Sequence, residues 1–147
     1  MSTIEKSTGF LVVRTARSMK KSLDNNLVEF GVTSSQHHVL SVLNDEDGQA
    51  LSSIGKKVFL DKPAITGLAD RMENDKLVER RRSPEDRRVI KLFLTNSGKD
   101  ILKKYENIVK ETDNNLVKVL SKEELATFRE MLNKIWKNAY QTDKIRK

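Results

Sequence analysis

The chain has 147 residues, no cysteine, 33% charged residues and a formal net charge of +7. That length can bury roughly 68–70% of its extended surface, so a core is possible without staples. The missing cysteine excludes a disulfide framework, thiolate metal ligands and a cysteine redox sensor. No apolar run approaches a membrane span and the polar opening MSTIEKSTG lacks a signal-peptide core, so a soluble, cytoplasmic chain without a membrane partner is expected. A pI near 9.6 suits a polyanionic partner.

Val12, Ala16, Met19, Leu23, Leu27 and Phe30 recur at spacings of three and four, one apolar stripe on a long helix stopped by Gly31. Thr33-Ser34-Ser35-Gln36 reads as a capping box opening a helix that carries Val39, Leu40, Val42 and Leu43 and ends in the turn cluster from Asn44 to Gly48. A short helix follows from about Ser52 to Val58. Asp61 then serves as an N-cap, Pro63 is tolerated in the first turn, and Ile65, Leu68, Ala69 and Met72 form the buried face of a helix ending near Asp75.

Leu77-Val78 and the run from Val89 to Leu94 are rich in strand formers, and Ser83-Pro84-Glu85-Asp86 between them is turn chemistry. Five of the ten arginines lie between Arg80 and Arg88. Two helices on a tight connection, followed directly by a hairpin, spell a winged helix-turn-helix. An arginine-tipped hairpin suits phosphates or a minor groove, although charge on an edge strand also prevents unwanted pairing.

After the hairpin, Thr95 caps a helix bearing Ile101, Leu102, Tyr105, Ile108, Val109, Leu116 and Leu120. Ser121-Lys122-Glu123-Glu124 is a second capping box, and Leu125, Phe128, Leu132, Ile135, Trp136 and Ala139 stripe the last helix. The terminal helices carry more apolar surface than a small DNA-binding module needs; they either wrap that module or meet a second subunit. Residues 144–147, KIRK, read as a solvated end. The expected fold class is mainly α with a small β-hairpin wing, α+β.

The segment from Asp86 to Gly98, DRRVIKLFLTNSG, resembles the wing signature of MarR-type transcriptional regulators: Asp-x-Arg, five residues, Leu-Thr, and Gly three after the Thr. The segment from Asp61 to Arg80 looks like that family's recognition helix running into the first wing strand, and the resemblance covers the chain in helix order. One departure is visible. Many members have Gly just before that strand, where this chain has Lys76, so the helix end is expected to lack the usual left-handed glycine and to close differently.

The resemblance implies a homodimer on double-stranded DNA, with residues 1–32 and 96–147 as a helical dimerisation region and 33–95 as the winged helix-turn-helix, each copy taking half of a pseudo-palindromic operator. Lys62, Pro63, Ala64 and Thr66 open the recognition helix, whose N-terminal N–H groups would face the DNA; Lys62 and Thr66 can reach bases or phosphates and Ala64 a thymine methyl, and Arg71 is grouped with them. Ser35 and Gln36 can donate to phosphates, although capping alone would explain Gln36. In the wing, Arg88 is the candidate for the minor groove, its guanidinium held by Asp86 in a bidentate pair. Arg87, on the opposite strand face, and Arg81 and Arg82 are candidates for the phosphate backbone.

Members of this family commonly respond to small aromatic or phenolic anions, and Arg14, Arg17 and His38 are the candidates for such an effector site; the plainer account makes them polar-face helix residues. No cofactor is implied. Two adjacent histidines point about 100° apart on a helix and cannot share one ion, so no metal is expected. With no glycine-rich phosphate loop, no cysteine and only one histidine pair for general acid–base work, an enzyme is not expected either. Two alternatives stay open: an architectural DNA-binding protein without effector, which a shallow specificity ratio would identify, and a purely helical interaction module, which leaves the arginine tip unexplained.

Overall fold

Capping chemistry sets most helix boundaries in the structure, a computed structural model that describes residues 1–146, with side-chain surroundings through residue 143. The expected solvated end at residues 144–147 therefore falls outside the described surroundings. Helix α1 (Thr8–Leu27) opens where the Ser7 hydroxyl accepts from the Phe10 N–H, tightens to a 3-10 turn over Val28–Phe30, and stops at Gly31, φ 68°. Helix α2 (Ser34–Asp45) opens on the expected capping box: Thr33 Oγ1 accepts from the Gln36 N–H and Gln36 Oε1 from the Thr33 N–H, both at 3.1 Å. Helices α3 (Leu51–Lys57) and α4 (Lys62–Asn74) follow, then strands β2 (Val78–Arg82) and β3 (Ile90–Leu94), helix α5 (Asn96–Val117) and helix α6 (Lys122–Arg146).

A third strand, β1 (Gln49–Ala50), pairs antiparallel with β3, Gln49 opposite Leu92 and Ala50 opposite Lys91. The wing is therefore the outer part of a three-stranded sheet in the order β1-β3-β2, where the sequence shows only a two-stranded hairpin. Two residues are too few to display a period of two. The strand is held by one distant bond and two nearer ones: the Leu94 N–H donates to Asp47 Oδ1 at 2.9 Å, and the buried Gln49 side chain donates to the carbonyls of Val42 and Glu46.

Helices α3 and α4 close in the same way. The Leu60 N–H reaches back to the Gly55 carbonyl at 2.8 Å and the Leu77 N–H to the Met72 carbonyl at 2.9 Å, each a six-to-one closure with the intervening residue left-handed. Those residues are Phe59, φ 58°, and Lys76, φ 60°. The expectation for Lys76 is thus corrected: the usual closure is kept, and a lysine adopts the conformation that costs a non-glycine residue roughly 1–2 kcal/mol.

The chain divides into two compact units, Met1–Thr112 and Asp113–Lys147. This division falls within α5, because the end of α1 and the first half of α5 share the winged core. Leu27, Leu40, Ile54, Met72, Leu92 and Tyr105 lie together in it with at most 1% of their surface exposed. The wing motif's Thr and Gly fasten this core. Thr95 Oγ1 donates to the Lys76 carbonyl at 2.6 Å and accepts from the Gly98 N–H at 2.9 Å, while any Cβ at Gly98 would collide with the Leu77 carbonyl. In the second unit the Ser121–Glu124 capping box forms as read, with bonds of 2.9 and 3.1 Å, and Asp113 pairs with Arg129 at 3.3 Å.

Candidate nucleic-acid interface

Helix α4 begins with Asp61 as its N-cap, and that cap changes what the helix can offer. Asp61 Oδ1 accepts from the Ala64 N–H at 2.9 Å, its carbonyl accepts from the Ile65 N–H at 2.9 Å, and Pro63 has no N–H. The N-terminal donors are thus largely spent inside the protein and a carboxylate already sits on the positive dipole end. The expectation that backbone N–H groups face DNA is weakened accordingly. Recognition would fall to side chains: Lys62, Pro63 and Ala64 are exposed and Thr66 half-buried, while Ile65, Leu68, Ala69 and Met72 are buried. Arg71 is exposed in the last turn, with a guanidinium nitrogen 3.6 Å from where a Cβ on Gly67 would stand.

Of the α2 candidates, Ser35 is half-buried and Gln36 is 5% exposed with its Oε1 held in the capping box. Gln36 is corrected to a structural residue, since a buried side chain engaged at its own helix terminus cannot also reach a phosphate. Ser34 beside it donates its N–H to Asp24 Oδ1 at 2.7 Å, tying α2 to α1.

The wing tip runs from Ser83 to Val89, closed by the Ser83 N–H to the Val89 carbonyl at 2.8 Å and the Val89 N–H to the Asp86 carbonyl at 2.9 Å. Asp86 accepts three bonds from Arg88, from its backbone N–H at 3.1 Å and from Nε and Nη2 at 3.0 Å each. This is the bidentate pair the sequence suggests. The Arg88 guanidinium beside Asp86 holds its carboxyl below the usual carboxylate range, yet the Arg88 side chain is 91% exposed. An arginine preorganised by a neighbour and still open to solvent loses less rotamer freedom on meeting a partner.

The other wing arginines do different work. Arg87 lies in the tip, not on β3, so the expectation of an opposite strand face is corrected; its carbonyl accepts from Arg82 Nη1 at 2.8 Å, which braces the loop. Arg81 bonds Glu79 at 3.2 Å and lies over the Phe93 ring at 4.4 Å, an arrangement that fixes it along the sheet face.

The sequence reading missed Arg80. It donates to Asp70 at 2.6 Å and to Glu73 Oε1 at 3.0 Å, and its N–H reaches Glu73 Oε2 at 3.2 Å. Glu73 is held below the usual carboxylate range by those bonds. This clamp joins β2 to α4, so the wing and the recognition helix are set at one relative position. Asp70 and Glu73, three apart on one helix face, were a detectable signal, but their partner lies on another element.

The effector candidates lie on two helices, Arg14 and Arg17 on α1 and His38 on α2. Arg14 pairs with Glu5 at 3.5 Å and lies over Phe10, and Arg17 and His38 are exposed. The histidine that the core takes in is His37, whose Nδ1 is 3.0 Å from the Tyr105 hydroxyl. A concavity of about 400 Å³ lined by Phe30, Leu77, Ile101, Asp75, Asp100 and Lys104 contains none of the three candidates. No cluster of metal-ligating side chains occurs among the described residues, and no helix among them is long and apolar enough to cross a membrane.

Comparison with known proteins gives the family and the fold. The MarR family model matches residues 32–90, from α2 to the start of β3. The chain is 32% identical over 140 residues to the HTH-type transcriptional regulator MhqR of Bacillus subtilis strain 168, covering 93% of this chain and 96% of that protein. It is 31% identical over 112 residues to the regulator SarZ of Staphylococcus saprophyticus, 76% of this chain and 77% of that one. Among solved structures, a DNA complex of MepR from S. aureus superimposes with a TM-score of 0.83 at 28% identity, covering 90% of this chain and 98% of that one. PcaV of Streptomyces coelicolor, solved with its natural ligand, shares the fold with a TM-score of 0.86 at 23% identity, covering 95% and 98% of the two chains.

Proposed function

Because this chain belongs to the MarR family of transcriptional regulators, we propose that it binds a pseudo-palindromic operator as a homodimer, α4 entering the major groove and the wing reaching the adjacent minor groove. The observation that carries the reading is Arg88: exposed, aimed by Asp86, on a hairpin that Arg80 clamps to α4. Lys62, Ala64, Thr66 and Arg71 would face bases and phosphates from the helix, and Arg81, Arg82, Arg87 and Ser35 would lie along the backbone. The DNA-bound MepR relative supports this reading.

The homodimer would form through the apolar residues left uncovered on the terminal helices, Val12 and Val13 on α1 and Phe128, Met131, Leu132 and Ile135 on α6. A small-molecule input belongs to the same proposal and is supported by PcaV, a ligand-bound protein of this fold. Its place is open to the concavity beside Phe30 and Ile101 as much as to Arg14, Arg17 and His38.

Binding curves against duplex from upstream of the chain's own gene, at one stated salt concentration, test the proposal. Arg88→Ala should weaken binding by roughly 1–3 kcal/mol with thermal stability nearly unchanged, because an exposed tip contributes little to the core. Footprints should show inverted half-sites about 10 base pairs apart. Arg88→Ala binding as tightly as wild type would reduce the wing to a solvated edge, and equal affinity for unrelated duplexes would favour an architectural role. A panel of phenolic acids added to the same assay tests for the effector.

A further inference from the structure

The concavity beside Phe30 takes its walls from three places in the first compact unit: the turn after α1, the end of α4 with the start of β2, and the N-terminal turns of α5. Its volume of about 400 Å³ falls in the range of small-molecule sites, roughly 300–1,000 Å³. Helix α5 enters along one stripe, since Ser97, Asp100, Ile101 and Lys104 recur at spacings of three and four. The apolar part of the lining comes from Phe30 and Ile101, half-buried, and from Val32 and Leu77, buried.

What sets its chemistry is charge left unpaired. Asp75, from the end of α4, and Asp100 carry exposed carboxylates and Lys104 an exposed ammonium, and no ion pair or side-chain hydrogen bond joins any of the three to another described residue. On the wing side of α4 the opposite holds, where Asp70 and Glu73 are both taken by Arg80. Lys104 stands one turn beyond Asp100, the spacing at which opposite charges pair on a helix, yet the two stay apart. Two carboxylates against one ammonium make this lining negative in a chain whose net charge is +7. A carboxylate cluster alone would be solvated surface; here it borders an apolar floor that includes an aromatic ring, to which a cation is attracted. Position adds a consequence. Asp75 and Leu77 flank Lys76, whose left-handed angle closes α4, and the same turn is fastened to α5 by Thr95 on the Lys76 carbonyl and Gly98 against the Leu77 carbonyl. A molecule seated here touches the joint of recognition helix, wing strand and α5.

We propose that this concavity is the site of a small organic cation, an amine whose apolar body lies on Phe30, Val32, Leu77 and Ile101 and whose ammonium group is held by Asp75 and Asp100, and that its occupancy alters the hold of α4 on DNA. The coupling to DNA rests on the DNA-binding reading above; the site itself does not. Lys104 disfavours a second positive group on the ligand, so a single charge on an apolar body is the preferred class.

The isotope-labelled full-length chain is titrated, under nuclear magnetic resonance, with phenylbutylamine, phenylbutanol and phenylbutyrate, which share a body and differ in charge. The amine should move the amide signals of Gly31, Leu77 and Ile101 with a Kd of about 1 mM, the affinity of a fragment of this size. The alcohol and the acid should bind at least about threefold more weakly. Asp75→Asn combined with Asp100→Asn, exposed and isosteric changes, should weaken the amine about 3- to 30-fold with the melting temperature unchanged, and Lys104→Gln should tighten it. Near saturation the amine should change the affinity of wild type for duplex from upstream of its own gene by about fivefold or more, and that of the double variant by correspondingly less at the same concentration. Signals that move elsewhere, an alcohol or acid that binds as well as the amine, or no saturation by any of the three up to roughly 10 mM overturn the site. An amine that saturates with no change in duplex affinity overturns its role as an input. A wild-type chain that binds no duplex in either condition overturns the DNA-binding reading and the coupling with it, while the titration still decides the site.

Discussion

The apolar stripe of α4, formed by Ile65, Leu68, Ala69 and Met72, keeps at most 3% of each side chain exposed, whereas Phe128, Leu132 and Ile135 on α6 keep between 37% and 52%. Both helices repeat their apolar residues at three and four. Such a rhythm states that one face will leave water and says nothing about what covers it. For α4 the cover is close by, since α3 and β2 pack on it within the same unit. For α6 the apolar face stays exposed within the chain, and the proposed homodimer would seat a second copy on it.

Substitutions on the two faces should separate these roles. The largest effect is expected from Phe128→Asp combined with Ile135→Asp, which places carboxylates in an interface that must be dry. The dimer dissociation constant should rise at least about a thousandfold, near 4 kcal/mol, as read by sedimentation equilibrium. A double variant that remains dimeric at micromolar concentration would mean the α6 face has another purpose. Leu40→Ala, in the core, should instead lower unfolding stability by about 2–5 kcal/mol in denaturant titration, with the surviving folded fraction still dimeric.

A smaller effect should appear with pH. Burial, with the neighbouring His38 second, pushes His37 down to about 4 from 6.5, so the folded chain keeps it neutral while the unfolded chain protonates first. The stability it supports is complete above pH 6.5 and should fall as pH drops from 6.5 towards 4. Discounted for its partial exposure, the loss is about 1–2 kcal/mol. Denaturant midpoints measured across that range should flatten in His37→Phe; an unaltered slope would move the titration to another group. The smallest effect is expected at the α4 closure, where Lys76→Gly should gain about 0.5–1 kcal/mol, strain relief partly offset by the entropy of an unfolded glycine.

Much of the architecture was legible before any coordinates. The capping boxes at Thr33–Gln36 and Ser121–Glu124, the Asp61 cap and the Asp86–Arg88 pair all form within a few residues of chain, where covalent spacing already dictates which groups can meet. The same locality made the recognition helix and the wing readable as candidates. Gln36 was ambiguous for a related reason: residues that cap a helix and residues that bind a phosphate are the same types, and burial alone separates them.

Helix order, helix ends and the preorganised wing arginine were thus determined by the chain's local chemistry. Tertiary structure alone decided that Gln49–Ala50 becomes a strand, that Arg80 clamps the wing to α4, and that His37 and not His38 meets Tyr105. In all three, the partner is brought near only when the core closes. The left-handed Phe59 and Lys76 stand between these cases: six-to-one closures local to each helix end impose a backbone angle that neither side chain would choose for itself.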